Sequence, residues 1–467
     1  MMRNAGIALI AGLVVGSARP SAADTPPPAM QQLTREVFKQ LVEINTTESS
    51  GDTFAAARAM GDRLLAAGFP RADVQVFQSA PRRGNLIARL RGTGKRKPLL
   101  LVAHLDVVEA KRDDWTTDPF KFVEKDGYFY GRGTSDDKDM AVAWVVNMIR
   151  WKKEGYRPDR DLVLVLETDE ELGDRNGVGI QWLIKHHRDL IDAELALNEG
   201  GGVGVKEGKP FANSIQTAEK LFQNFWVEAR NPGGHSSLPR KDNAIYELAD
   251  ALARLEHHSF PVHLNDTTRG YFEKMAAVEH GQLAQDMKSL VSPKPDPAAI
   301  DRLTAMPPYN AQIRTTCVAT RLEGGHADNA LPQLARAMVN CRIVPGETPE
   351  QVQKELETTF ADPRLTITTV PRDPGGDPSA MNKDLLAAIE KVGPRFWPGV
   401  PAVPTMTSGA TDGRFLRNAG IPTYGHSGMA SDIFDVRAHG KDERVSIQAT
   451  FEGEQYLYEL VKALSGG

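Results

Sequence analysis

Pro98-Leu99-Leu100-Leu101-Val102-Ala103-His104-Leu105-Asp106-Val107-Val108 is the stretch on which the reading of the fold turns. Residues 99–103 form an unbroken apolar run of strand length, the pattern of a strand buried on both faces, and such strands belong to sheets covered by helices. The run gives way to His104 and Asp106. Two residues apart in extended chain, their side chains point the same way. An imidazole and a carboxylate therefore sit just past the end of a buried strand, the edge at which open α/β sheets gather their ligand sites.

The same texture extends outward from this segment. Residues 161–168 (DLVLVLET) read as a second buried strand and residues 193–198 as a third, with helical spacing over 139–153 and 179–188. Upstream, 33–68 is helical in pattern, while 74–77 and 85–90 read as strands. This alternation predicts an α/β fold, a central mixed sheet covered by helices. Beyond Gly200-Gly201-Gly202 the pattern changes. Residues 222–229, 316–322 and 335–344 alternate like half-exposed antiparallel strands, 243–257 is an amphipathic helix, and 364–370 a last strand. A second, α+β domain inserted into the first is the expectation: residues 31–217 and 374–467 form the larger domain and 218–373 the insertion, with the Gly/Pro-rich 371–378 as the return linker.

The 467 residues carry a net charge of only -5, with no stripe of Lys and Arg, which argues against nucleic-acid or membrane-surface binding and leaves a small molecule as the partner. Residues 1–23 read as an export signal: one Arg, an apolar run over 5–16 too short to span a bilayer comfortably, then Ser21-Ala22-Ala23. A secreted or periplasmic protein is expected; a retained anchor is the alternative. The two cysteines, Cys317 and Cys341, flank a hairpin-like segment, either bonded in an oxidising compartment or buried as small apolar residues.

Four further motifs carry chemistry. Gly131-Arg132-Gly133-Thr134-Ser135-Asp136-Asp137-Lys138 is glycine-rich and leads into a helix; acids there often cap helix amides, but a carboxylate in such a loop can also bridge two metal ions. Glu167-Thr168-Asp169-Glu170-Glu171 puts four acids in five residues at the end of a buried strand, crowding that is costly unless cations neutralise it. Asn198-Glu199-Gly200-Gly201-Gly202 again ends a strand in an acid, and Ala438-His439-Gly440-Lys441-Asp442-Glu443 supplies a late histidine.

In order and spacing, HLD, GRGTSDDK, TDEELG, NEGGG and AHGKDE resemble the signature of the dinuclear zinc amidohydrolases of the peptidase family M20 type. That superfamily includes aminoacylase, glutamate carboxypeptidase and succinyl-diaminopimelate desuccinylase. The resemblance implies a zinc-peptidase catalytic domain and an inserted lid or dimerisation domain. It implies two zinc ions per subunit, replaceable by cobalt or manganese: His104 and Glu199 on one, Glu171 and His439 on the other, Asp136 between them. Glu170 would be the general base, Asp106 would orient His104, and His235 in NPGGHSS would stabilise the oxyanion. Asn329, Arg342 and Gly409 would line the substrate site. By its context His439, rather than His426, is the ligand. The implied activity is hydrolysis of an amide next to a free carboxylate, as a dipeptidase or carboxypeptidase on short peptides. Alternatives are an N-acyl-amino-acid hydrolase or a non-catalytic binding protein. A homodimer is possible, and residues 258–314 are longer than such a lid needs.

Overall fold

The computed structural model describes residues 25–173, 175–371 and 375–466, so the export signal read over 1–23 lies outside the described residues. The apolar run becomes the strand Leu99–His104, paired parallel to Leu162–Glu167 on one side and to Leu195–Asn198 on the other. Its side chains alternate between two helical layers. Leu99, Leu101 and Ala103 pack with Phe38, Trp144 and Leu457. Leu100 and Val102 face Ile180, Leu183, Phe415 and Leu416 on the opposite side. An unbroken apolar run is what a strand between two such layers requires.

The sheet has ten strands among the described residues and is mixed. Arg83–Leu90 runs antiparallel to Leu162–Glu167, while Thr423–Gly425 runs parallel to Leu195–Asn198. The stretch 33–68 is two helices, Pro28–Glu43 and Thr53–Ala66. They are separated where Asn45 accepts the amide of Thr47 and Asp52 caps the second helix through the amide of Ala55, polar side chains bonding backbone that a continuous helix would need.

A second, antiparallel sheet runs in the order Thr316–Gly324, Leu334–Ile343, Leu221–Arg230, Thr366–Thr369. The helices Ala244–His257 and Pro349–Phe360 cover one face through Leu248, Leu255, Val352 and Leu356. Cys317 and Cys341 stand directly opposite each other on adjacent strands and are disulfide-bonded. Residues 266–313 are helical and pack elsewhere: Phe272, Met287 and Leu303 bury against Ala212 and Val403 of the larger sheet. No helix among the described residues is long and apolar enough to cross a membrane.

The N-terminal helix is tied to the C-terminal one by a buried polar contact, Thr34 Oγ1 donating to Glu454 Oε2 at 2.5 Å. Burial pushes the Glu454 carboxyl up to about 8 from 4.5. A carboxyl whose folded-state pKa is raised is stable with its proton on, so stability is full below the unfolded-state value and falls as pH rises toward 8. Glu454→Gln removes that loss. Relative to the parent, its stability should grow by at most about 1.4 kcal/mol per pH unit across that window, read as thermal midpoints at pH 5 and pH 8. A difference independent of pH would contradict this.

Candidate metal centre

Parallel pairing brings three strand ends to one edge. His104 closes its strand opposite Glu167, and Leu101 pairs with Leu197, so the turn after Glu167 and the residue after Asn198 arrive beside the imidazole. At that turn Asp169 adopts a left-handed conformation (φ 76°), and the short 3-10 helix Glu170–Leu172 follows. The amides of Glu170 and Glu171 both donate to the Asp106 carboxylate, at 3.3 and 3.0 Å. Asp106 therefore contacts both this acidic turn and the His104 ring. The His104 ring is held by the Asp106 main-chain carbonyl, 2.9 Å from Nδ1, while the nearer carboxylate oxygen lies 3.8 Å away. The side chain is turned to cap the neighbouring acidic turn.

Asp136, from the glycine-rich loop, stands between two imidazoles. One of its oxygens lies 3.1 Å from His104 Nε2 and the other 3.1 Å from His439 Nε2. His104 Nε2 is also 4.0 Å from Glu199, and His439 Nε2 is 2.9 Å from Glu171. The donors form two groups sharing one residue: His104, Asp136 and Glu199, and Asp136, Glu171 and His439, each with its ligand atoms within 4.8 Å of one another. Around a tetrahedral ion with ligand distances near 2.1 Å, neighbouring donors lie roughly 3.4 Å apart. The separations here fit two adjacent cations, and the donor set of nitrogen and oxygen without thiolate suits hydrolytic divalent metals.

The electrostatics also call for positive charge. Burial, then the neighbouring Glu199, holds the Glu170 carboxyl well above the usual range. Burial pushes Glu199 up to about 8 and Asp137 well above its ordinary value. Burial works against a charged Asp136 too, yet hydrogen bonds from both imidazoles hold it below the usual range. Hydrogen bonds to Asp136 and then Glu171 push His439 up to about 10. The cluster collects protons where cations would relieve the same repulsion.

The other sequence-derived residues fall into two places. His235 and Asn329 meet on a small ribbon: Gly234–His235 pairs with Ala330–Leu331, and the Ser236 amide donates to the Asn329 carbonyl. Both are exposed, and among the described residues neither hydrogen-bonds to the acid cluster. Arg342, on the second sheet over the Phe222 ring, donates to the Ser408 carbonyl at 3.2 Å, beside Gly409. His426 is buried, donating from Nδ1 to the Ser214 carbonyl and accepting from the Tyr456 hydroxyl, with burial pushing it down to about 4. Its two nitrogens are thus engaged away from the two donor groups. Sequence reasoning passed over Arg132, Asp412 and Glu443, all buried. Asp412 adds to the charge repulsion on Glu170 and Glu199. In the sequence the only signal was that each stands inside or beside a chemistry-bearing motif.

The profile of peptidase family M20/M25/M40 matches residues 100–463. The chain belongs to this family. Membership makes it a hydrolase of the metallopeptidase type. It is 31% identical over 378 residues to the N-fatty-acyl-amino acid synthase/hydrolase PM20D1 of Xenopus tropicalis, covering 78% of this chain and 72% of that one. It is 28% identical over 380 residues to a probable carboxypeptidase S-like 2 of Dictyostelium discoideum, covering 78% and 71%. The M20 family metallo-carboxypeptidase Sso-CP2 of Sulfolobus solfataricus shares the fold, with a TM-score of 0.65 at 18% identity over 92% of this chain and 99% of that one.

The loop after Glu199 leaves no room for side chains. A Cβ on Gly201 would lie 2.2 Å from the Gly425 carbonyl oxygen and 2.7 Å from that of Ser214, both backbone. Gly201→Ala should therefore cost at least about 3 kcal/mol in chemical denaturation. Gly208→Ala, at φ 74° but facing open space, should cost roughly 1 kcal/mol. Similar losses at the two positions would contradict the close approach.

Proposed function

We propose that the chain hydrolyses an amide bond next to a free carboxylate in short peptides, using two zinc ions. His104 and Glu199 would hold one ion and Glu171 and His439 the other, with Asp136 shared. The observation that carries this reading is the Asp136 carboxylate presenting one oxygen to each of two imidazoles. When bound, the ions supply an acidified water and positive charge opposite the carbonyl oxygen as it becomes an oxyanion.

The rest is the work of side chains. Glu170 is held by its amide to Asp106 while its neighbour Glu171 faces His439, which leaves the Glu170 carboxylate to take the proton from the attacking water and pass it to the leaving amine. His235 is the further donor to the oxyanion, and its exposure is consistent with reaching the site by movement of its ribbon or from a second copy of the chain. Arg342 has the planar fork that pairs with a carboxylate, and its bond to the Gly409 loop supports a carboxylate-binding end built from both.

A second reading, N-acyl-amino-acid hydrolysis, is favoured by one observation. A cleft of about 1070 Å³ reaches away from Asp136 and Glu199 between Val205, Phe396, Val400, Met429, Ala430 and Val436. Part of its charged lining is self-paired, Asp435 bonding both Arg437 and Arg444. Such a space suits an apolar acyl chain, in keeping with the N-fatty-acyl substrate class in the name of the Xenopus relative.

The test is a panel of dipeptides, N-acetyl and long-chain N-acyl amino acids, each with its C-terminal amide, run with zinc, cobalt and manganese. Free acids should be cleaved and their amides poorly. Preference between peptides and long-chain acyl substrates separates the two readings. Glu170→Ala should lower kcat by about 10²–10⁴-fold or more and still bind two ions per chain by elemental analysis. Turnover within tenfold of the parent removes Glu170 from the role, and loss of an ion makes it a ligand.

A further inference from the structure

Glu443 takes no part in the chemistry proposed above, yet it is the acid most densely bonded beside it. It is fully buried. Its Oε2 accepts from the Arg132 guanidinium at 2.6 Å and from the Gly133 amide at 2.9 Å. Its Oε1 accepts the amide and the hydroxyl of Ser135, at 2.8 and 3.1 Å. Its main-chain carbonyl accepts from Gly131, and Arg132 donates with its second terminal nitrogen to the Gly440 carbonyl at 2.9 Å. Arg132 itself lies buried over the Trp115 ring, 5.0 Å from its centroid.

These bonds join two segments 311 residues apart in sequence. One leads directly into Asp136, and the other follows His439. The remaining members of the cluster ride on strand ends or on the turn capped by Asp106. Asp136 and His439 have no such support: both sit on loops, and the His439 side chain is 56% exposed with a φ of 62°. The geometry points to Glu443 and Arg132 as positioning residues that set Asp136 against His439 and so hold the shared metal site in register. This rests on the two-ion reading above. The contrasting role is a buried ion pair that serves only the stability of the fold.

Glu443→Gln separates the two roles, because a side-chain amide cannot accept from all the N–H and O–H groups now aimed at the carboxylate. The full chain, stripped with a chelator, is titrated with zinc by calorimetry, and its metal-free thermal midpoint is measured in parallel. The clamp predicts a loss of zinc affinity on the order of 10–100-fold, with the metal-free midpoint within a few degrees of the parent's. Asp442→Asn is the control from the same loop; its carboxylate accepts the amide and hydroxyl of exposed Thr116, and the control should bind zinc as the parent does. Parental affinity in Glu443→Gln, an affinity loss no larger than the loss of folded protein explains, or an equal loss in Asp442→Asn would each overturn the proposal. If Glu443→Gln does not fold, Arg132→Lys decides. It keeps the charge and loses the bond to Gly440, so zinc affinity should fall, and parental affinity would overturn the clamp. A parent that takes up no zinc is a failure of the metal reading itself and is seen before any variant is compared.

Discussion

Charge crowding at one edge of a parallel sheet is the constraint on which the site depends. Asp106, Asp136, Glu170, Glu171 and Glu199 gather there, with Asp137 and Asp412 buried beside them. So many carboxylates cannot all be charged in a buried cluster without cations. The two imidazoles answer part of that demand, each taking one oxygen of Asp136. The fold spends its best-packed strands on this edge, since the apolar run ending at His104 is buried throughout. Rigid strands hold the ends of the cluster, and loops complete it. The chemistry therefore relies on long-range bonds as much as on the sheet.

What the sequence made legible follows from what repeats along a chain. Continuous apolar runs at 99–103 and 162–166 have the length and pattern of strands covered on both faces, and parallel pairing then brings their polar ends together. Five motifs in order were enough to identify the family and to name the residues that meet. The contacts that were not legible join segments with no shared pattern. Arg132 and Glu443 look like ordinary charged neighbours of a motif until the fold brings them together. Asp106 was placed beside His104, but its bonds to the Glu170 and Glu171 amides were not foreseen, because alternation in a strand says which way a side chain points and not which amides will turn to meet it. The break between the two N-terminal helices lay in the polar run around Asn45 and Asp52, where side-chain bonds to backbone outcompete helical spacing.

The residues that sequence similarity linked to substrate are unevenly distributed, and of these Arg342 lies on the second sheet. Arg342 reaches the larger sheet through Ser408, so the two sheets meet at the loop of Gly409. His235 and Asn329 remain together on an exposed ribbon. The helices within 266–313, a stretch expected to belong to the insertion, bury their apolar faces on the larger sheet. On the edge strand Thr316–Gly324 of the second sheet, Val318 and Leu322 are more than half exposed.

Diffraction at the zinc absorption edge from zinc-soaked crystals tests the central claim most directly. The account predicts two anomalous peaks about 3.5–4 Å apart, one among His104, Asp136 and Glu199 and the other among Asp136, Glu171 and His439. A single peak, or a pair that does not share Asp136, would contradict it.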